Sequence, residues 1–257
     1  MFNDLILALI LIFFIQTFFF ALATIYKTDK FTDLAYGVTF VIIAGLYFLL
    51  GPASGPVPVI LAFLISLWGI RLAGFLFMRI LAVGRDYRFD RVRDDLLKFG
   101  GFWLLQVVTI WIILLPTLVI LSSSFRFDLN LVSIFGIFIW AVGFLTEVAA
   151  DQQKAAFRGR PENSGKWIQS GIWKYSRHPN YFGEMLVWWG IFLIALPFLR
   201  NWEYLTVISP IFITSLLLFV SGIPPLEKKA DERFGSIPEY QNYKSRTSLL
   251  IPLPPKS

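Results

Sequence analysis

Seven apolar stretches, each close to 20 residues long, set the limits on what this chain can become. They run over 4–25, 34–51, 57–79, 102–122, 131–150, 181–199 and 205–223. A helix rises about 1.5 Å per residue, so each stretch reaches across the roughly 30 Å hydrocarbon core of a bilayer. Backbone N–H and C=O groups find no water there and must bond within their own segment, so each span is expected to be helical. The predicted fold class is all-α: a polytopic membrane protein with about seven transmembrane helices. A chain of 257 residues that is 56% hydrophobic is not a soluble globular domain. The first stretch exceeds a signal-peptide core and lacks a basic leader, which predicts a retained helix. No internal repeat is visible, so residues 1–257 read as a single membrane domain.

Basic residues set the expected orientation. Lys27 and Lys30 follow the first span; 79–98 carries Arg79, Arg85, Arg88, Arg91, Arg93 and Lys98; 152–179 carries Lys154, Arg158, Arg160, Lys166, Lys174 and Arg177. Six more basic residues follow Pro224, whereas the connections after spans two, four and six hold only Arg126 and Arg200. With seven spans every basic loop falls on one face, which predicts the N-terminus outside and the C-terminus cytoplasmic. The net charge of +6 therefore reads as topology, and no nucleic-acid partner is expected. There is no cysteine and a single histidine, so thiolate catalysis, cysteine-held clusters, di-iron histidine boxes and bis-histidine haem are excluded. No metal site is predicted.

Four charges lie inside the spans. Arg71 is about 12 Å from the cytoplasmic end of the third, and Asp33, Glu147 and Glu184 also sit in the cytoplasmic half. Ionised groups at such depth cost several kcal/mol unless paired or wetted, so they should face a polar interior. A structural Arg71–Glu184 pair would explain two of them but not the basic loops above. The connection 79–98 has alternating charge and predicts a short interfacial helix ending at Gly100 and Gly101. Its Tyr87, between Arg85 and Arg88, is either a proton donor or an aromatic-belt residue.

The stretch 170–190, SGIWKYSRHPNYFGEMLVWWG, concentrates chemistry. Pro179 suits the first turn of a helix, whose open N–H groups beside Arg177 and His178 make an anion site. Asn180 and Glu184 are four apart and share a face. The fifth span exits through Glu147 and Asp151, also four apart, towards Arg158 and Arg160, whose forked donors suit phosphates. The turn at 161–165 could lie over a cofactor. Further on, Glu227, Asp231 and Arg233 either close that pocket from below or belong to a solvated helix. The final LLIPLPP, rich in proline, is expected on the surface without regular helix.

The string GIWKYSRHPNYFGE at 171–184 resembles the C-terminal signature of bacterial-type membrane proteins related to steroid 5α-reductases, in their domain-of-unknown-function (DUF1295-like) branch. The resemblance extends through RDYR at 85–88 and EKKADERFG at 227–235. It places the reductase-like region at 101–257 and implies NADPH as cofactor, bound on the cytoplasmic side. The implied contacts are Asp151, Arg158, Tyr175, Asn180 and Glu184, with Arg71, Arg177, His178 and Tyr181 completing the expected set. Steroid 5α-reductases proper carry a Gln-Glu pair in the second span, which reads DLAYGVTFVIIAGLYFLL here. Asp33 and Tyr36 are the titratable substitutes, and with Tyr87 they form the expected catalytic set. The implied reaction reduces a C=C bond of a lipophilic, steroid- or enone-like molecule entering from the bilayer among the membrane lipids. A shorter core, RHP-x-Y at 177–181, also resembles isoprenylcysteine carboxyl methyltransferases, which leaves S-adenosylmethionine-dependent methylation of a lipid or prenylated acceptor as the alternative. Non-catalytic lipid binding or transport is the third reading. The excess of basic residues over Glu162 in 152–179 favours a phosphorylated dinucleotide.

Overall fold

The computed structural model describes residues 2–83 and 95–256. Among these the protein is all-α, with no strand: α1 Phe2–Ile25, α2 Lys30–Leu50, α3 Pro56–Val83, α4 Leu96–Leu121, α5 Leu131–Arg158, α6 Pro179–Ala195, α7 Ile208–Ser215, α8 Ile223–Phe234 and α9 Pro238–Arg246. Seven helical segments among the described residues are long and apolar enough to cross a membrane, including Asn201–Phe234, in which α7 runs through a π-turn into α8. They coincide with the seven stretches read from the sequence.

Two boundaries differ from the sequence reading. Helix α4 begins at Leu96 and passes straight through Gly100 and Gly101, where an interfacial helix was expected to end. The start is fixed by Asp95, whose carboxylate accepts hydrogen bonds from the Leu97 and Lys98 amides at 3.1 and 3.2 Å. Once an apolar helix is capped, its backbone bonds continue through glycine because nothing else in hydrocarbon can satisfy them. The rest of the proposed interfacial helix, with Tyr87, lies outside the described residues. Helix α5 also outruns the expected span, ending at Arg158 rather than near 150. Its last turns carry Glu147, Asp151, Lys154 and Arg158 at three- and four-residue spacings that place opposite charges on one stripe.

One compact unit comprises Met1–Ile134 and Ile191–Ser209. Its helices α2 and α3 touch backbone to backbone: a Cβ on Gly37 would lie 2.7 Å from the Gly69 carbonyl and 2.8 Å from the Ala73 Cβ. Beside this crossing Phe40 meets the buried Trp68 edge to face, ring centres 5.2 Å apart. Helices α1 and α4 are tied by the Trp111 indole, which donates to the Leu5 carbonyl at 2.8 Å. The outward faces of α1 and α4, with Phe13, Phe14, Phe18 and Leu104, are exposed and apolar, as lipid-facing surfaces must be.

The second unit comprises Phe135–Gly190 and Pro210–Ser257. Helices α5 and α6 cross at glycines: a Cβ on Gly183 would fall 2.6 Å from the Gly143 carbonyl and 2.9 Å from the Glu147 Cβ, and one on Gly190 would fall 2.7 Å from the Trp140 amide. Small residues allow this approach, and in lipid close packing replaces the hydrophobic effect as the source of helix association. The final segment lies on the surface, as expected, with Ile251 and Leu253 about half exposed. It is not loose: the Arg177 amide donates to the Ser248 carbonyl (2.9 Å) and the Leu253 amide to the Tyr175 carbonyl (3.1 Å).

A bulky side chain at this crossing must push the helices apart. Gly183→Leu is expected to lower stability by about 1–3 kcal/mol, read as a fall in melting temperature of the detergent-solubilised protein. Gly74→Ala, where an added methyl meets nothing within 4 Å, should be neutral or slightly stabilising. Equal effects of the two would show that the glycine contact does not hold α5 against α6.

Candidate functional site

The site forms in the second unit, where the loop before α6 and helix α9 converge on one carboxylate of α8. Pro179 opens α6 as its sequence dictates, and the two residues before it are fixed from both sides. The His178 amide donates to Ser176 Oγ at 3.1 Å, while Ser176 Oγ donates to the Leu250 carbonyl at 2.7 Å. The side chains of Arg177 and His178 then meet Glu227 on α8. Glu227 Oε1 lies 2.7 Å from His178 Nε2, and Oε2 takes a short ion-paired hydrogen bond from Arg177 Nη1. Lys244 of α9 stands 3.6 Å from the same Oε2 and donates to both oxygens of Asp231 at 2.5 and 2.6 Å. Glu227 and Asp231 are one turn apart on α8, so both reach the same cations. The Tyr243 hydroxyl donates to the Trp173 carbonyl (2.8 Å) and ties α9 to the loop before α6.

Burial sets the protonation of the histidine. His178 is 5% exposed, and desolvation holds its pKa below the ordinary 6.5 despite the opposing pull of Glu227, with Lys154 and Arg177 adding to the depression. The imidazole is neutral at pH 7. Glu227 can only accept, so Nε2 carries the proton and Nδ1 presents a lone pair. That Nδ1 is buried with no hydrogen-bond partner, and so is Arg177 Nε. An acceptor and a donor therefore stand open on adjacent residues. Tyr181 stacks on the imidazole, ring centres 5.8 Å apart and 12° from parallel. Burial and the nearby Glu227 and Asp231 push Tyr240 up to about 12, and burial raises Tyr243 as well, so both phenols remain donors at neutral pH.

A cavity of about 260 Å³ opens in the same unit, lined by Phe157, Asn163, Lys166, Trp167, Gln169 and Ser170. Asn163 shapes its rim by donating to the Phe157 carbonyl at 2.9 Å. Trp167 packs on Phe234 and Tyr240, ring centres 5.4 and 5.2 Å away, which joins the cavity wall to α8 and α9. Arg158 and Arg160 are exposed immediately after Phe157.

The residues expected from sequence divide between the two units. Arg177, His178 and Tyr181 come together around Glu227, the first two bonded to it and the third stacked on the imidazole. Asp151 is half-buried on α5, Arg158 is exposed at its end, Tyr175 is exposed with Lys174 Nζ 5.9 Å from its ring centre, and Asn180 and Glu184 are half-buried on α6. Asp33, Tyr36 and Arg71 belong to the other unit. There Asp33 pairs with Arg79 at 3.2 Å, Tyr36 meets Phe40 edge to face at 5.2 Å, and Arg71 lies over the Phe75 ring at 5.3 Å. Tyr87 lies outside the described residues. Of the three tail residues expected to close a pocket, Glu227 is the hub and Asp231 its neighbour, while Arg233 lies over the Phe234 ring at 5.1 Å. Ser176, Tyr243 and Lys244 were not anticipated. The four-residue spacing of Glu227 and Asp231 on an amphipathic helix was the available signal.

Residues 19–247 match the family described as "Protein of unknown function (DUF1295)". The chain belongs to that family. It is 24% identical, over 224 residues, to "Uncharacterized protein C594.04c" of Schizosaccharomyces pombe, an alignment covering 75% of this chain. The chain spans about 62% of the length of that relative. No solved structure matches. The family match takes in α2 to α9, and with them the whole cluster around Glu227.

Glu227→Gln keeps the shape but leaves Arg177 without its counter-charge in a poorly hydrated place, and should destabilise the protein by about 3 kcal/mol. An unchanged melting temperature would show the network to be ornamental. His178 also gives stability a pH dependence. Its folded pKa is depressed, so the unfolded chain takes up the proton first; stability is full above about pH 7 and falls as pH drops through 6.5. Being the only histidine, it can be isolated: His178→Gln should flatten the melting temperature between pH 7 and 5.5.

Proposed function

We propose that this protein is a membrane-embedded, NADPH-dependent oxidoreductase that reduces a C=C bond of a lipophilic, enone-like molecule. The observation that carries this reading is the open donor and acceptor on Arg177 and His178, in the same unit as a cavity between two aromatic rings flanked by exposed arginines. A primary carboxamide, such as that of a nicotinamide, offers a carbonyl to Arg177 Nε–H and an N–H to His178 Nδ1. The cavity of about 260 Å³, walled by Phe157 and Trp167, is the size of a nucleobase-like group, below the usual range for whole ligands. Arg158 and Arg160 supply forked donors for phosphate. Donors and acceptors suited to both ends of a phosphorylated dinucleotide are thus present in this unit, which supports the reading.

When bound, that cofactor supplies hydride. The chain supplies the rest. Glu227 fixes the imidazole tautomer so that His178 Nδ1 faces its ligand as an acceptor, and the stacked Tyr181 holds the ring plane. Reduction at the β-carbon of a conjugated carbonyl also needs an acid to polarise the oxygen or protonate the enolate. Tyr36 and Tyr87 are the candidates for that role, with Asp33 engaged by Arg79 instead. The sequence resemblance to 5α-reductase-related proteins supports the same assignment.

NADPH should raise the melting temperature of the detergent-solubilised protein more than NADH or S-adenosylmethionine does. The reverse ranking, with S-adenosylmethionine ahead, would assign the chain to methyl transfer. Arg158→Ala should weaken NADPH by about 1–3 kcal/mol and leave NADH unaffected; a common loss for both would remove the arginine from the 2′-phosphate.

A further inference from the structure

Hydrocarbon interiors tolerate polar atoms only when they are paired, so the unpaired ones in the first unit point to a ligand. Three bear on a single stretch of α2. Gln16 of α1, 1% exposed, donates from Nε2 to Thr39 Oγ1 at 2.8 Å and to the Ala35 carbonyl at 3.3 Å. Thr39 Oγ1 already donates to the Ala35 carbonyl, so it accepts from the glutamine and the carboxamide orientation is fixed. Gln106 of α4, 8% exposed, donates from Nε2 to the Thr32 carbonyl at 3.4 Å, which is an acceptor only. Trp103, one turn before Gln106 and 3% exposed, packs with Ala35 and Phe99 in one buried cluster. Thr32, Ala35 and Thr39 lie on one face of α2. Left over, buried and without partners, are Gln16 Oε1, Gln106 Oε1 and Trp103 Nε1–H.

The outer side of the same helices offers room. An entirely apolar groove of about 520 Å³ runs between α1 and α4, lined by Ile10, Phe13, Phe14, Leu104 and Val108 among others. Phe13 is three residues before Gln16, and Leu104 and Val108 bracket Gln106. The groove therefore adjoins the level at which the polar atoms are buried.

We propose that this unit carries an intramembrane binding site for a lipid alcohol, its apolar body in the α1/α4 groove and its hydroxyl between Trp103, Gln16 and Gln106. The head group is fixed by complementarity. Two acceptors and one donor require a group that both donates and accepts. A hydroxyl does both; a ketone or ester carbonyl only accepts and leaves both glutamine oxygens bare, and an ammonium only donates and leaves the indole bare. One hydroxyl satisfies Trp103 and one glutamine, and a second on the same head would satisfy the other. The site stands independently of any cofactor in the other unit.

The test uses the full-length protein in phosphatidylcholine nanodiscs and a long-chain primary alcohol carrying a mid-chain diazirine, with its methyl ether as control. Photolysis should place adducts on the peptides holding Ile10, Phe13, Phe14, Leu104 and Val108. The ether cannot donate to a glutamine and should label about tenfold less. Trp103→Phe keeps the ring and removes only the N–H, and should lower labelling by the alcohol five- to tenfold at unchanged melting temperature; Gln106→Leu removes one of the two acceptors open to its single hydroxyl and should lower labelling about twofold. Equal labelling by alcohol and ether would reduce the site to a greasy groove. Labelling that persists in both variants, or adducts elsewhere, overturns the proposal. So does a Gln106→Leu protein that is more heat-stable yet labels as before, because the glutamines then hold buried water alone.

Discussion

Hydrocarbon offers no hydrogen bonds, and that one deficit organises each unit of this protein. It makes every span helical, since only a helix satisfies its own backbone. It shifts helix association from burial of apolar surface to close packing, hence the bare backbone contacts at Gly37 and Gly69 in one unit and at Gly143 and Gly183 in the other. It also turns hydroxyls back onto carbonyls nearby. Thr39 and Thr146 each donate to a carbonyl four residues earlier, Ser133 to Ile194 and Ser209 to Ile113, all at 2.7 to 3.0 Å. Gln16, Trp103 and Gln106 differ in that their open atoms gather along one stretch of α2.

Around Glu227 the same deficit is met with charge. Glu227 and Asp231 bring two negative charges, and Arg177 and Lys244 bring two positive ones. The account balances only while His178 is neutral, which is what its burial enforces. A protonated imidazole would add a third positive charge, with Lys154 and Arg177 already pressing on it. Neutrality is thus a consequence of the packing, and it leaves Nδ1 with a lone pair to offer.

The spans were legible because a transmembrane signal is summed over some 20 residues and survives local irregularity. Pro179 announced the start of α6, and Arg177 with His178 announced the chemistry beside it. The start of α4 was missed because a pair of glycines weighs heavily in a sequence read by soluble-protein rules, yet lightly once Asp95 caps an apolar helix. The centrality of Glu227 was beyond local reading: its partners lie 49 and 50 residues earlier in the chain. Gln16 was hidden differently. One carboxamide in a run of phenylalanine and isoleucine barely lowers the mean hydropathy, and only the neighbouring Thr39 and Ala35 reveal that it points inward.

The last segment braces the site from outside. The loop at 175–177 is held by 248–253 through hydrogen bonds to the tail's backbone: the carbonyls of Ser248 and Leu250 and the amide of Leu253. Its prolines at 252, 254 and 255 forbid a helix and remove N–H groups that would invite another strand. A segment that acts through its backbone places few demands on its side chains. The family match ends at residue 247, and a tail that works this way need carry no recognisable sequence to hold Arg177 and His178 where Glu227 can reach them.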